Sequence, residues 1–161
     1  YTVMISNFSE YYRMVDYFST FTNQHIGVAM GVNNLLDVFD EEYYKNLPGG
    51  ILEAFGKFFK KDMRVYLYPY KDMKTGELLT SENLKVHDNL KELYKYFKLN
   101  KRIVDIENFN PKFLEIYSRE ILKKIVTQEL GWEEELPIGV SEMIKDRQMF
   151  GYKELTFDGL N

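Results

Sequence analysis

Apolar residues follow one another along the chain in short continuous or alternating runs. Residues 26–30 (IGVAM) form a continuous apolar run, which is typical of a strand covered on both faces. In residues 63–70, Val65 and Leu67 alternate with tyrosines, which predicts a second strand. Pro69 is expected at the end of that strand or on an edge, because proline has no N–H to donate. Three further runs predict short strands, at residues 2–6, 77–80 and 103–106.

Between these runs, apolar residues recur at intervals of three and four, which predicts helices. Ser9 is expected to cap the first helix, and Asn110 with Pro111 marks the start of the fifth. Gly151 is expected to close the last one. The helical stretches cover residues 11–21, 35–39, 51–59, 90–97, 114–125 and 140–144.

The alternation of strands and helices predicts the α/β class, because successive βαβ units place their strands parallel in one sheet. We therefore expect a Rossmann-like domain of three layers, with a mostly parallel sheet and a helical C-terminal part. The sequence contains no long linker, which predicts a single α/β domain over residues 1–151 and a loose tail at 152–161. The chain begins at Tyr1 without Met, so an alternative is that it forms the C-terminal part of a longer protein.

The composition excludes disorder and several classes of partner and site. Aromatic residues make up 16 % of the chain, with 13 Tyr and 12 Phe, which indicates a packed core. The formal net charge is −4, so we expect no binding to nucleic acid. Cysteine is absent, which excludes disulfides and thiolate sites and suits the cytoplasm. No apolar run approaches the ~18 residues that span a bilayer, so we expect no membrane association.

Polar residues are predicted to follow several of the strands at the point where each strand ends. In open parallel sheets, ligands bind beyond the carboxyl ends of the strands, where helix N-termini offer free N–H groups. Amides, a hydroxyl and an ammonium group at one rim of the sheet would suit a phosphate or a sugar. The candidate ligand-binding residues at this rim are Asn7, Ser9, Gly31, Asn33, Asn34 and Lys71.

These candidate residues also fit purely structural roles. Ser9 and Asn33 suit helix caps, and Gly31 suits a tight turn. Gly27 and Gly31 bracket a strand and do not form the G-x-G-x-x-G pattern, and G-x-x-x-x-G-K-[ST] is absent. The sequence therefore leaves the cofactor and any catalytic residues unassigned.

No metal site is predicted from the acidic residues or the histidines. Asp37 and Glu41 share a helical face, but they lack the loop spacing of a calcium site and are typical of a solvated helix end. His25 and His87 have no acidic residue or second histidine at ligand spacing, which disfavours a zinc site. His25 is expected at the amino end of the sheet, opposite the rim.

Two functions remain open on this evidence. The first is binding of a small phosphorylated or nucleotide-like ligand at the rim, in one lobe of a group-transfer enzyme. The assignment to a group-transfer enzyme rests on fold analogy. The alternative is a non-catalytic protein-interaction or oligomerisation domain that packs on an adjoining domain or a second copy. The aromatic residues expected on such surfaces include Tyr66, Tyr68, Trp132 and Phe150.

Overall fold

The chain groups into two compact units in the computed structural model, which describes residues 6–153. The N-terminal unit is Tyr1–Phe109 and the C-terminal unit is Asn110–Asn161. The single domain expected over residues 1–151 stays a prediction, because two compact units can belong to one folding domain. Most of the strand predicted at 2–6 lies outside the described residues, as does most of the tail predicted at 152–161.

The N-terminal unit alternates helices and strands over most of its length, with 3-10 turns at Glu41–Tyr44 and Asp88–Leu90. Its helices are α1 (Tyr11–Phe18), α2 (Val32–Val38), α3 (Gly50–Phe58) and α4 (Lys91–Leu99). Its strands are β1 (Ile26–Gly31), β2 (Met63–Tyr68), β3 (Tyr70–Lys71), β4 (Leu78–Leu79) and β5 (Ile103–Asp105). The predicted strands at 26–30, 63–70, 77–80 and 103–106 are therefore confirmed, with ends that differ by a few residues.

Three of the strands form a parallel sheet in the order β1-β2-β5. Ile26 lies opposite Met63, and Val65 lies opposite Ile103. Strands β3 and β4 form a separate antiparallel pair, as the predicted return strand requires. Pro69 follows the last residue of β2, where its missing N–H removes no hydrogen bond from the sheet. The α/β class with a parallel sheet is confirmed.

One face of this sheet packs on the helices. Right-handed crossovers that step in one direction across a sheet place their helices on the same face. The buried core accordingly joins Val28, Met30, Val65 and Leu67 of the strands to apolar residues of all four helices.

The other face of the sheet is open at β1, where Gly27 and Ala29 are exposed. The expectation that residues 26–30 are covered on both faces is therefore wrong. Glycine and alanine count as apolar in the pattern, but they carry too little surface to drive burial.

The starts of two helices differ from the predicted caps. Glu10, and not Ser9, occupies the N-cap position of α1, and the Ser9 hydroxyl instead donates to Glu10 Oε2 at 2.6 Å. Asn110 does act as a cap, since its Oδ1 accepts from the Lys112 N–H at 3.1 Å, but it caps only a 3-10 turn. The α-helix predicted at residues 114–125 starts only after that turn, at Ser118. One 3-10 turn is enough to supply the N–H that the Asn110 side chain caps.

The C-terminal unit contains two α-helices, α5 (Ser118–Thr127) and α6 (Val140–Asp146), joined by a segment with a 3-10 turn at Trp132–Glu135. Trp132 is 2 % exposed and packs with Ile121, Ile125 and Ile144. Its burial removes it from the aromatic surfaces expected for an interaction domain. Helix α6 ends before Gly151, which instead closes a separate 3-10 turn at Met149–Gly151. Within residues 6–153, every helix is too short or too polar to cross a bilayer.

Candidate functional site

The carboxyl ends of β1 and β2 lie at the same edge of the sheet. Gly31, the last residue of β1, lies opposite Tyr68, the last residue of β2. The segments that follow these two strands, including Asn33, Asn34 and Lys71, therefore start from one edge. The predicted ligand-binding rim requires strands whose carboxyl ends lie at one edge, and the described strands β1 and β2 meet this requirement.

A cleft of about 320 Å³ lies beside α2, between that helix and the start of α1. We call it the tyrosine cleft. Its polar lining comes from Ser9, Glu10, Asn34 and Asp37, and its aromatic lining comes from Phe8, Tyr11, Tyr43 and Tyr44. It therefore combines carboxylates, an amide and a hydroxyl with aromatic rings.

Helical spacing explains how α1 and α2 present their side chains to the tyrosine cleft. Asn34 and Asp37 are three residues apart on α2, so they share one face of that helix. Tyr11 and Met14 are related in the same way on α1. The opposite side of α2 carries Leu35, which is fully buried in the core and fixes the rotation of the helix.

Tyr44 joins the 3-10 turn Glu41–Tyr44 to α2. Its hydroxyl donates to the main-chain oxygen of Val38 at 2.8 Å, and only 6 % of the residue is exposed. Burial raises the pKa of Tyr44 well above its ordinary value, and the nearby Tyr12 and Asp40 add to the effect. Tyr44 is therefore a fixed wall of the cleft and keeps its proton.

Tyr11 and Tyr43 are the tyrosines whose surfaces remain available to a ligand. Burial raises the pKa of Tyr11, and the carboxylate of Asp37 raises it further, so the phenol stays protonated at neutral pH. A protonated phenol can donate a hydrogen bond to a ligand oxygen. Tyr43 is 59 % exposed, which leaves its ring free to stack on a planar or ring-shaped group.

The charge of the tyrosine cleft is negative. Glu10 and Asp37 contribute carboxylates, and none of the described residues that line the cleft is basic. Arg13 lies outside the lining and 3.4 Å from Glu10 Oε2, so Asp37 carries most of this negative charge. A phosphate would be repelled by these carboxylates. Hydroxyl groups, by contrast, can donate hydrogen bonds to them. The cleft therefore suits the hydroxyl-bearing part of a ligand better than an anionic part.

Two of the six predicted ligand-binding residues, Ser9 and Asn34, line the tyrosine cleft. The other four lie outside its lining. Asn7 is exposed ahead of α1, Gly31 occupies the N-cap position of α2, Asn33 is exposed on α2, and Lys71 pairs with Leu78 in the β3–β4 hairpin. The alternative role of Asn33 as the cap of α2 is wrong, since Asn33 lies inside the helix.

A second cleft of about 810 Å³ lies between α2 and residues 85–89. We call it the Lys85 cleft. Its lining includes Asp37, which also lines the tyrosine cleft, together with Asp40, Lys85 and His87. The Asn89 side chain donates to Glu41 Oε2 at 2.5 Å, which ties this segment to the turn after α2.

The end of β5 holds the long segment between β2 and α4 against the sheet. Asp105 accepts hydrogen bonds from the Ser81 N–H at 2.9 Å and from the Ser81 hydroxyl at 2.6 Å. Tyr94 donates to the main-chain oxygen of Ser81 at 2.8 Å. Ser81 is 3 % exposed, so these bonds satisfy groups that water does not reach.

Sequence reasoning missed Glu10, Tyr43 and the role of Asp37 in the cleft. Asp37 is exposed in the last turn of α2, as expected for a solvated helix end, but its charge pattern does not show that Tyr11 and Tyr43 line the same cleft. The signal that was available is the shared face of Asn34 and Asp37 on a helix that begins at the carboxyl edge of the sheet.

Within residues 6–153, no three His, Asp or Glu side chains come together as a group that could hold a metal ion. Comparison with known proteins gives no match for this chain to a protein-family model, a curated protein or a solved structure.

Proposed function

We propose that the N-terminal unit binds the sugar or nucleoside part of a small nucleotide-like ligand in the tyrosine cleft. The observation that carries this proposal is the joint presence of Ser9, Asn34 and Asp37 in a cleft that also presents tyrosine rings. Carboxylates accept hydrogen bonds from the ribose hydroxyls in many nucleotide sites of α/β proteins. Aromatic rings supply a stacking surface for a base or a sugar ring.

The negative lining decides which part of the ligand would enter. A nucleoside or sugar is neutral, and its hydroxyls can donate to Asp37 and Glu10. A phosphate on the same ligand would have to point away from these carboxylates, toward solvent or another protein surface. The proposal therefore keeps the nucleotide-like ligand expected from the sequence and assigns the cleft to its uncharged part.

A Rossmann-like architecture belongs to the same proposal, but the described residues supply two of its three layers, because the core joins all four helices to one face of the sheet. Its support is the parallel order β1-β2-β5 and the position of the tyrosine cleft beside the helix that follows β1. In open parallel sheets, ligands bind outside the carboxyl ends of the strands. A transferase activity in a larger enzyme rests on this analogy alone, so binding is the activity to test first.

The test is a thermal-shift and calorimetric titration of the chain with adenosine, AMP, ribose and inorganic phosphate. The proposal expects a saturable rise in Tm with adenosine, since a ligand that binds only the folded state stabilises it. Asp37→Asn keeps the size of the side chain but removes its charge and should weaken adenosine binding at least about tenfold, the cost of a charge-assisted hydrogen bond. Flat titrations with the whole panel would overturn the proposal.

Two control variants separate the tyrosine cleft from its surroundings. Glu42→Gln changes an exposed carboxylate that pairs with Lys45 and lines neither cleft, so adenosine affinity should not change. Lys71→Glu reverses the charge of the predicted rim residue in the β3–β4 hairpin and should also leave adenosine affinity unchanged. A loss of binding in Lys71→Glu with normal binding in Asp37→Asn would place the ligand at the rim instead of in the cleft.

Self-association through the open face of the sheet is the second candidate function. Parallel sheets are normally covered on both faces, yet Gly27 and Ala29 are exposed here and Tyr66 and Tyr68 are only half-buried. Sedimentation velocity over a concentration series should then show a dimer that Ala29→Arg dissociates. Leu52→Arg, at an exposed position on α3, is the matched control. A monomer at every concentration would exclude this candidate.

A further inference from the structure

His25, Tyr66 and Asp62 form a hydrogen-bonded array at the amino end of the sheet, away from the tyrosine cleft. The Nδ1 atom of His25 lies 2.5 Å from the main-chain oxygen of Asp62 and 3.3 Å from its carboxylate. The Nε2 atom of His25 lies 3.1 Å from the hydroxyl of Tyr66. His25 lies 37 residues from Asp62 and 41 residues from Tyr66 in the sequence, and it meets them because β1 and β2 are paired in parallel.

The partners of His25 fix the direction of these hydrogen bonds. The main-chain oxygen of Asp62 can only accept, so Nδ1 carries the proton in the neutral ring. Nε2 is then unprotonated and accepts a hydrogen bond from the Tyr66 hydroxyl. His25 is therefore a base in contact with the Tyr66 hydroxyl, and Asp62 orients it. This arrangement of hydroxyl, base and orienting group activates side-chain nucleophiles in enzymes.

Gly27 makes room for the ring of Tyr66. A Cβ atom at position 27 would lie 2.9 Å from Cε2 of Tyr66, which is closer than atoms in contact can approach. The tyrosine ring therefore lies across the bare backbone of β1, with its hydroxyl directed at His25. His25 is exposed and Tyr66 is half-buried, so both can be reached from solvent.

The charged groups around the array are Asp62, Arg64 and Arg102. Arg64 lies 3.2 Å from the Asp62 carboxylate and Arg102 lies 3.9 Å from it. Two guanidinium groups and one carboxylate leave a local positive charge. Arg64 and Tyr66 are two residues apart on β2 and so share the open face of the sheet. An anionic reagent would be attracted to this end of the strand.

We propose that Tyr66 is a site of covalent acylation, with His25 as its general base, Asp62 as a positioning residue and an acyl phosphate as the class of acyl donor. In the reaction, a bond forms between Tyr66 Oη and the acyl carbon, and the bond between that carbon and the phosphate oxygen breaks. The phenolic proton passes to His25 Nε2 and then to water, and phosphate leaves. Atoms and charge balance without an oxidant or a reductant.

The test measures acetylation of the intact chain by acetyl phosphate, with each tyrosine followed by peptide mass spectrometry. Tyr96, which is 58 % exposed, is the internal control. General-base catalysis typically contributes about 10²–10⁴-fold, so Tyr66 should react about 100-fold faster than Tyr96 although it is less exposed.

Variants identify the source of that reactivity. His25→Gln removes the general base, so Tyr66 should slow to the Tyr96 rate. Arg64→Gln should slow the reaction with acetyl phosphate but not with N-acetylimidazole, because only the first reagent is an anion. A Tyr66 that reacts no faster than Tyr96, or a His25→Gln variant in which Tyr66 keeps its fast rate, would overturn the proposal. Asp37→Asn, which tests the tyrosine cleft, should not change this reaction.

Discussion

The two faces of the parallel sheet differ in what their side chains do. On the covered face, Val65 and Leu67 have no exposed surface and pack into one apolar core. On the open face, Tyr66 lies across Gly27 and its hydroxyl contacts His25. Successive residues of one strand thus serve two purposes, because side chains alternate between the faces. Stability is expected to depend on the first face and chemistry on the second.

The largest expected effect comes from opening a cavity on the covered face. Leu67→Ala should lower the free energy of unfolding by about 2–5 kcal/mol, because buried methyl groups are lost and the cavity is only partly refilled. Leu99→Ala is the matched control, since Leu99 is 74 % exposed and should cost less than about 0.5 kcal/mol. Urea denaturation followed by circular dichroism measures both values. Equal costs for the two variants would contradict the assignment of Leu67 to the core.

A smaller loss of folding stability is expected at alkaline pH, because two tyrosines are buried on the helix side and hold their protons more tightly than in the unfolded chain. Burial raises the pKa of Tyr94 above its ordinary value of 10.0, and Asp105 and Glu82 raise it further. Burial does the same for Tyr44. The unfolded chain ionises these phenols near pH 10 while the folded chain keeps their protons. Their contribution to stability is therefore complete below pH 10 and is lost as the pH rises above it.

Above pH 10, the free energy of unfolding should fall by at most about 1.4 kcal/mol per pH unit for each tyrosine, which is the linkage limit for one proton. Urea denaturation at intervals from pH 8 to pH 11 measures it. Tyr94→Phe and Tyr44→Phe should each be less stable at neutral pH, because a hydrogen bond to a main-chain oxygen is lost, but each should show a shallower decline above pH 10. If the double variant Tyr44→Phe/Tyr94→Phe lost stability above pH 10 as steeply as the unaltered chain, the assignment of this loss to the two tyrosines would be wrong.

The smallest effect on stability is expected on the open face. Gly27→Ala adds a methyl group under the Tyr66 ring, which can swing aside because it is the outer end of a side chain. We expect a change of less than about 1 kcal/mol in unfolding free energy, since the clash offsets the reduced entropy of the unfolded chain. The His25 ring signals in NMR should nevertheless shift as the tyrosine moves.

Gly31→Ala is the matched control for that variant. A Cβ at Gly31 meets no atom within 4 Å, and the backbone there has an ordinary φ of −82°. This substitution should leave the His25 signals in place. Unchanged His25 signals in Gly27→Ala would mean that the ring of Tyr66 does not depend on the bare backbone of β1.

The strands were predictable because their pattern is local. Alternation of Val65 and Leu67 with tyrosines located β2, and Pro69 fixed its end. The run IGVAM located β1 but did not predict that one face of this strand is uncovered. Small and large apolar residues alternate along the run, and a pattern that counts both as apolar does not separate the two faces. The start of α5 was also missed, since the cap at Asn110 is satisfied by one 3-10 turn before the helix begins.

The sites were less predictable, because they depend on contacts between distant segments. Ser9 and Asn34 were candidates from their positions near predicted helix starts, and both line the tyrosine cleft. Lys71 was expected beside them, but it is paired in the β3–β4 hairpin, which contributes no residue to the cleft lining. The pairing of His25 with Asp62 and Tyr66 spans 37 and 41 residues, and only the register of β1 on β2 reveals it.

The strand order β1-β2-β5 has a consequence for how the protein is synthesised. Among the described strands of the sheet, each pairs with the one made just before it, so none of them has to wait for a later strand to be inserted between them. By the time residue 68 has left the ribosome, β1, α2, α3 and β2 can already pack as a unit, and β5 adds to its edge. The growing chain therefore extends an existing sheet and does not have to rearrange one.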